Sequence, residues 1–204
     1  MEKKELLESL REKGFSEKIL DAFSKVKRED FIPKNIEAMA YKDTALPIGH
    51  GQTISQPYTI SVMLSLLDLK RGQKVLEIGS GCGYVLALLS EIVGEQGKVY
   101  GLEVVKELAE KSKKNLGKYD NIKVYNRNGS KGLPEKTPFD SVIISAAMRN
   151  IPEEIMSQLK NRGILVAPKG SRFEQEIIAI QRKSESEFEI KKRIPGFIFV
   201  PFIG

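Results

Sequence analysis

The chain is poor in the side chains that most often bridge or react: among 204 residues there is one cysteine, Cys82, and one histidine, His50. One cysteine cannot form an internal disulfide, and one cysteine with one histidine cannot make a tetrahedral zinc site. A disulfide scaffold and a structural zinc domain are therefore excluded, and no metal is expected. The chain also lacks an apolar run of the roughly 18 residues that a membrane helix needs. Its first residues, "MEKKELLESL", are charged from the second position, so neither a membrane span nor a signal peptide is expected. The expected setting is the cytoplasm, with the protein a monomer.

Charge of one sign is not concentrated either. The net charge is +6, yet the first 40 residues hold 9 Lys or Arg against 9 Asp or Glu. The densest basic runs, "KSKKNLGK" at 111–118 and "KKR" at 191–193, read as solvated faces, so nucleic acid is not the expected partner. With 41% hydrophobic and 29% charged residues, the composition is that of one folded domain with a short appendage.

What is present is organised. Leu6, Leu7 and Leu10, then Ile19, Leu20, Phe23 and Val26, mark two short amphipathic helices within residues 3–30, the second capped by Ser16. A long ordered connection follows to Pro57, then a helix through Ile60, Met63, Leu64 and Leu67. The stretch "KVLEIGSGCGYVLALLSEIVG" reads strand, glycine turn, helix. "KVYGLEV" and "VKELAEKSKKNLGKY" repeat the unit, and "IKVYNRNG", "FDSVIISAA", "IPEEIMSQLK", "GILVAPKG" and "QEIIAIQRK" continue it. Such alternation predicts an α/β fold, a doubly wound and mostly parallel sheet with helices on both faces. "FEIKKRIPGFIFV" should add antiparallel edge strands.

The glycine turn carries the first functional signal. A turn of Gly79, Ser80, Gly81, Cys82 and Gly83 lets a ligand approach backbone at the carboxyl end of a strand, although a tight turn alone would also use glycine. Glu103 closes the next strand, where an acid accepts hydrogen bonds from ribose hydroxyls. A ligand containing a nucleoside is expected. A dinucleotide binder would space its glycines G-x-G-x-x-G, whereas here Glu77 precedes Gly79, Gly81 and Gly83 in the pattern E-x-G-x-G-x-G. That pattern resembles the first motif of class I S-adenosylmethionine-dependent methyltransferases, with a Rossmann-like fold. The resemblance implies that Glu77, Gly79, Ser80 and Gly81 hold the methionine part of the cofactor and that Asn128 and Gly129 face adenine. Asparagine stands where that pattern expects an acid.

A more specific resemblance lies in "GHGQTISQPYTIS". Gly51, Ser55 and Pro57 match the G-x-x-x-S-x-P hallmark of the protein-L-isoaspartate O-methyltransferase family, and "FIPKNIEAMAYKDTALPIGHGQTISQPYTISVML", "VLEIGSGCGY", "PFDSVIISAA", "IPEEIMSQLKNRGILVAPKG" and "FVPFIG" are similar to it. The resemblance implies methyl transfer from S-adenosylmethionine to the α-carboxylate of L-isoaspartyl residues in aged proteins and peptides, leaving S-adenosylhomocysteine. The ester then closes to a succinimide that hydrolyses partly to aspartate, a repair. An α-carboxyl group ionises near about pH 3.5, so it needs alignment and desolvation rather than a general base.

Following the resemblance, Ser55 is the catalytic hydroxyl, an orienting donor, with Gly51 and Thr53 beside it at the substrate. Ser55 equally suits an N-cap or turn before the following helix. Val200 and Pro201 belong to a strand that helps wall the peptide. His50 is expected to be a loop residue, Cys82 a filler of the turn, and Asp43 either a pin for the loop, a substrate contact or an Asx turn. One domain spans 1–204: helices and active-site loop in 1–57, a cofactor core in 58–170 and C-terminal strands in 171–204. Competing readings are a methyltransferase of similar fold acting on RNA or a small molecule, and a cofactor-binding descendant without turnover.

Overall fold

The structure is a computed structural model that describes residues 2–203. Met1 and Gly204, the last residue of "FVPFIG", lie outside the described residues. The chain opens with helices α1 (Lys3–Glu12) and α2 (Glu17–Lys25), followed by short 3-10 turns over Arg28–Phe31 and Lys34–Met39. Ser16 stands at the N-cap of α2, but its hydroxyl makes no capping hydrogen bond. The expected long connection to Pro57 contains a small antiparallel hairpin, β1 (Leu46–Gly49) and β2 (Gln52–Ile54). Helix α3 (Pro57–Leu67) has proline at its first position, where the missing N–H costs nothing.

From there strand and helix alternate as β3 (Lys74–Ile78), α4 (Tyr84–Val93), β4 (Lys98–Glu103), α5 (Lys106–Asn115), β5 (Ile122–Asn126) and β6 (Phe139–Ile144). The short α6 (Glu153–Met156) leads into β7 (Leu159–Gly170), and β8 (Gln175–Arg182) and β9 (Phe188–Pro195) complete the sheet. The seven strands run in the order β5-β4-β3-β6-β7-β8-β9, parallel as far as β7 and antiparallel beyond it.

The central strands are buried on both faces, which is why their sequences read as unbroken apolar runs rather than alternation. Val75, Val99, Ile143 and Val166 face one core, which also takes the inner sides of α1 to α5. Leu76, Ile78, Leu102, Val142, Ile144 and Leu165 face the other, with Phe139, Leu133 and Ile155. The helical cover is thus uneven: the second face has the 3-10 turn Pro134–Lys136 and the four-residue α6.

"IPEEIMSQLK" reads as a helix yet ends after one turn. Buried Gln158 spends its amide on the Leu133 N–H and the carbonyls of Lys131 and Glu154, and Leu159 then pairs with Phe139 on β6. The C-terminus also departs from expectation. Val200 and Pro201 lie in an extended segment outside any strand, joined by an isolated bridge between Ala147 and Pro201. Pro201 has no N–H to donate, so a regular ladder cannot pass through it.

Candidate active site

The cleft forms where the winding of the sheet reverses. From β3 the chain moves outward to β4 and β5, then returns to place β6 on the other side of β3, so the helices that follow β3 and β6 pack on opposite faces of the sheet. Ligands of open α/β sheets sit in the crevice at such a reversal. Here it is a cleft of about 520 Å³ between the glycine turn, the end of β4, the β1–β2 hairpin and the C-terminal segment.

The glycines divide their tasks. The N–H groups of Gly79 and Ser80 both donate to the Leu102 carbonyl, at 2.9 and 3.1 Å, which turns the backbone over the end of β4. Gly79 holds φ +78°, and a Cβ there would meet Ala146 only at ordinary contact distance, 3.6 Å. Gly83 is different: a Cβ would fall 2.4 Å from Ser112 Oγ and 2.8 Å from Leu116, so this glycine lets α4 pack on α5. Cys82 is buried, and burial pushes its thiol up to about 11, which fits an inert filler.

Two acids stand at this turn. Glu103 accepts the Gly81 N–H at 2.6 Å on one oxygen and the Val105 N–H at 2.9 Å on the other, and each oxygen keeps a second lone pair. Asn126, paired with Glu103 across β4 and β5, fixes the end of β4 by donating to the carbonyls of Glu103 and Val104. Glu77 is 1% exposed; one oxygen accepts from the Ser145 hydroxyl at 2.7 Å and the other has no partner. Burial pushes its carboxyl up to about 8, opposed by the Ser145 hydrogen bond and assisted by the charge of Glu103.

The opening loop of the sequence is the hairpin. His50 and Gly51 both hold positive φ, +54° and +69°, between paired Gly49 and Gln52. That is the two-residue turn which matches strand twist, and histidine tolerates the left-handed region better than most residues. His50 is exposed at the tip. On β2, Gln52 and Thr53 face the cleft while Ile54 enters the core. Ser55 is half-buried at the foot, and Gln56 rather than Ser55 occupies the N-cap of α3. Among the described residues the Ser55 hydroxyl makes no hydrogen bond, while its carbonyl accepts from Arg28 at 2.8 Å. Asp43 forms no Asx turn: it accepts the Tyr58 N–H in the first turn of α3 at 2.8 Å and so pins the base of the hairpin.

The cleft therefore brings together Thr53, Gly79, Gly81, Glu103, Gly129, Val200 and Pro201 of the residues singled out in the sequence. Gly51, Ser55, Glu77, Ser80 and Asn128 are not among its lining residues. Ser80 is buried with its hydroxyl unpaired, and Asn128 is exposed, its amide oxygen accepting the Ser130 N–H at 2.8 Å. Lining residues that sequence reasoning missed include Gln52, Val104, Val105, Arg127, Ser145, Phe202 and Ile203. Most are apolar or neutral and follow a motif by one or two places, so proximity to the motifs was the available signal. No group of three or more His, Cys, Asp or Glu among the described residues could hold a metal ion, and no helix there is long and apolar enough to cross a membrane.

A seven-stranded mixed sheet with flanking helices and a cleft at the reversal point matches the Rossmann-like class I methyltransferase fold. Comparison narrows this further: a model of the family Protein-L-isoaspartate(D-aspartate) O-methyltransferase (PCMT) matches residues 1–204, and the chain belongs to that family. Among its curated relatives, the protein-L-isoaspartate O-methyltransferase of Methanothrix thermoacetophila is 42% identical over 206 residues, covering 100% of this chain and 96% of the relative. Protein-L-isoaspartate O-methyltransferase 2 of Archaeoglobus fulgidus is 45% identical over 208 residues, covering 100% and 94%. A solved protein-L-isoaspartate O-methyltransferase superposes with TM-score 0.92 at 27% identity, covering all of this chain and 66% of that one. A Plasmodium falciparum structure carrying the PCMT label, in complex with S-adenosyl-L-homocysteine, gives TM-score 0.84 at 26% identity over 98% of this chain and 97% of that one.

Proposed function

We propose that this protein repairs aged proteins and peptides by transferring a methyl group from S-adenosylmethionine to the α-carboxylate of L-isoaspartyl residues. The observation that carries the reading is the chemistry of the substrate wall. Beside the hairpin the cleft offers Gln52, Thr53 and backbone groups, and among the described residues Glu103 and Arg127 are its charged lining residues. A hairpin side built from neutral hydrogen-bonding groups suits a nucleophile already ionised at neutral pH.

The cleft fits the cofactor on its own features. Glu103 retains lone pairs for ribose hydroxyls, the turn at Gly79 and Gly81 exposes backbone, and Glu77, two residues before that turn, keeps a buried carboxyl oxygen without a partner. Glu77, Gly79, Ser80, Gly81 and Glu103 would hold the amino-acid and ribose parts, and Asn128 and Gly129 the base. When bound, S-adenosylmethionine supplies a methyl on a positively charged sulfur and leaves as S-adenosylhomocysteine. Ser55 would donate to one oxygen of the substrate carboxylate and leave the other aimed at the methyl, with Gly51 and Thr53 shaping the approach. Val200 and Pro201, whose segment donates and accepts backbone hydrogen bonds with Ala147, would wall the peptide. In this reading residues 1–57 supply the substrate loop, 58–170 the cofactor core and 171–204 the wall, and the enzyme acts as a cytoplasmic monomer.

The test uses S-adenosylmethionine with paired peptides that differ only in isoaspartate against aspartate. One methyl on the isoaspartyl peptide alone supports the reading. Methylation of both or neither overturns it, and methyl transfer to RNA instead would favour the nucleic-acid alternative.

A further inference from the structure

Arg28 follows α2 and is fully buried, at 0% exposure. Its Nη1 donates to the Ser55 carbonyl at 2.8 Å and its Nη2 to the Thr44 carbonyl at 3.0 Å. Thr44 and Ser55 flank the hairpin of residues 46–54, so one guanidinium ties both legs of the hairpin at its base. The guanidinium carbon, Cζ, sits 5.5 Å from the centroid of the Tyr84 ring at the start of α4, directly after the glycine turn. Arg28 thus contacts the base of the hairpin and the first residue of the helix that follows the glycine turn, while itself lying in the core.

A buried cation is costly unless it is paired. No carboxylate forms an ion pair with this one among the described residues; carbonyls and a ring face are its partners, its Nε hydrogen has none, and the charge of Asp43 acts on it from a distance. An apolar side chain of similar length would avoid the buried charge but would leave the Ser55 and Thr44 carbonyls without their donor. A planar fork that reaches two carbonyls at once has a different value: it fixes the separation of two backbone points, which a single ammonium cannot do. One of those points is the peptide group of Ser55.

We propose that Arg28 is a positioning residue for methyl transfer, holding the Ser55 peptide in register with the glycine turn and lending the substrate carboxylate the field of a cation that no carboxylate pairs directly among the described residues. This rests on the isoaspartyl reading of the site. Neither role requires contact with cofactor or substrate. The geometric role acts on turnover, and the electrostatic one on capture of an anionic substrate.

Two variants separate these roles. In Arg28→Met the clamp and charge both go, and in Arg28→Lys the charge stays but the fork is lost. Both are assayed with an isoaspartyl peptide for kcat and KM, and by calorimetry for S-adenosylhomocysteine. Arg28→Met should lower kcat by about a hundredfold, the scale expected when a positioned group moves by an ångström. Its KM for the peptide should rise about tenfold with loss of the through-space attraction, which a low-dielectric interior strengthens. Arg28→Lys should recover KM while kcat stays low, and cofactor product should bind both variants as it binds the natural protein. Unchanged kcat in a folded Arg28→Met overturns the proposal, as does loss of cofactor binding in step with activity, which would mark a merely structural residue. If Arg28→Met does not fold, Arg28→Lys decides alone: kcat equal to that of the natural protein overturns the clamp. If the natural protein itself methylates no isoaspartyl peptide, the functional reading fails instead.

Discussion

The Ser145 hydroxyl donates to one oxygen of Glu77 at 2.7 Å, and the second oxygen of this fully buried carboxyl has no partner. One hydrogen bond does not offset burial, so the carboxyl is pushed up to about 8 from its ordinary value of 4.5. The folded protein without cofactor therefore keeps a proton through a range in which the unfolded chain has released it. Stability from this group is present below the unfolded value and is lost as pH rises towards the folded one. Thermal melting of the cofactor-free protein should accordingly fall between pH 5 and pH 8, and the fall should shrink in Glu77→Gln. Affinity for S-adenosylmethionine, a cation, should rise over the same interval in the natural protein and stay flat in the variant. Identical melting profiles for the two proteins would refute this account of Glu77.

Gly79 and Gly83 share a motif but not a cause, and substitution should separate them. An added methyl at Gly83 would collide with Ser112 and Leu116, buried side chains of α5 and its end. Overpacking and a positive φ together should cost about 2–4 kcal/mol in urea unfolding of Gly83→Ala. In Gly79→Ala the methyl meets nothing closer than 3.6 Å, so the expected cost is the conformational one, about 1–2 kcal/mol. Binding of S-adenosylhomocysteine should suffer more in Gly79→Ala, and the reverse ranking in either measurement would count against this division.

The strand, turn and helix around Gly79 were legible because each signal is local: Val75, Leu76 and Ile78 are buried in a parallel sheet, and the glycines hold positive φ. The hairpin was not, because its strands have four and three residues and its turn is His50-Gly51 rather than a more familiar asparagine and glycine pair. Arg28 was invisible for another reason. Its partners are carbonyls 16 and 27 residues away, and a carbonyl leaves no trace in the sequence. Of the small polar residues in "GHGQTISQP", Thr53 lines the cleft while Gly51 serves the turn, a division that spacing in the sequence does not show.

Asn128 offers a change that should improve on the natural chain. Its exposed amide oxygen already accepts the Ser130 N–H at 2.8 Å, leaving one lone pair for the amino group of a bound base. A carboxylate in its place keeps the turn and makes both bonds charge-assisted. Asn128→Asp should bind S-adenosylmethionine about threefold to tenfold more tightly, with stability unchanged, as a charge-assisted bond is roughly twice as strong as a neutral one. Calorimetry showing equal or weaker binding would remove Asn128 from the adenine site.

The C-terminal wall depends on a side chain distant from it in sequence. Buried Gln175, the first residue of β8, accepts the Phe199 N–H at 2.7 Å and donates to the Phe199 carbonyl at 3.3 Å and the Ser171 carbonyl at 3.0 Å. An amide side chain here imitates the strand that Phe199 lacks, and the next two residues, Val200 and Pro201, line the cleft. Replacing Gln175 with leucine keeps the volume but leaves buried peptide groups of Phe199 unpaired, at a cost of about 1–3 kcal/mol. The loss falls on a segment joined to the sheet mainly through Ala147, so it should appear first as local opening. Hydrogen exchange in residues 197–203 should accelerate in Gln175→Leu while the amides of β3 and β4 stay protected. Peptide KM should rise without a matching loss in kcat, because the wall binds substrate whereas the hairpin orients it. If kcat and KM both match those of the natural enzyme while exchange accelerates, the segment is not part of the peptide site.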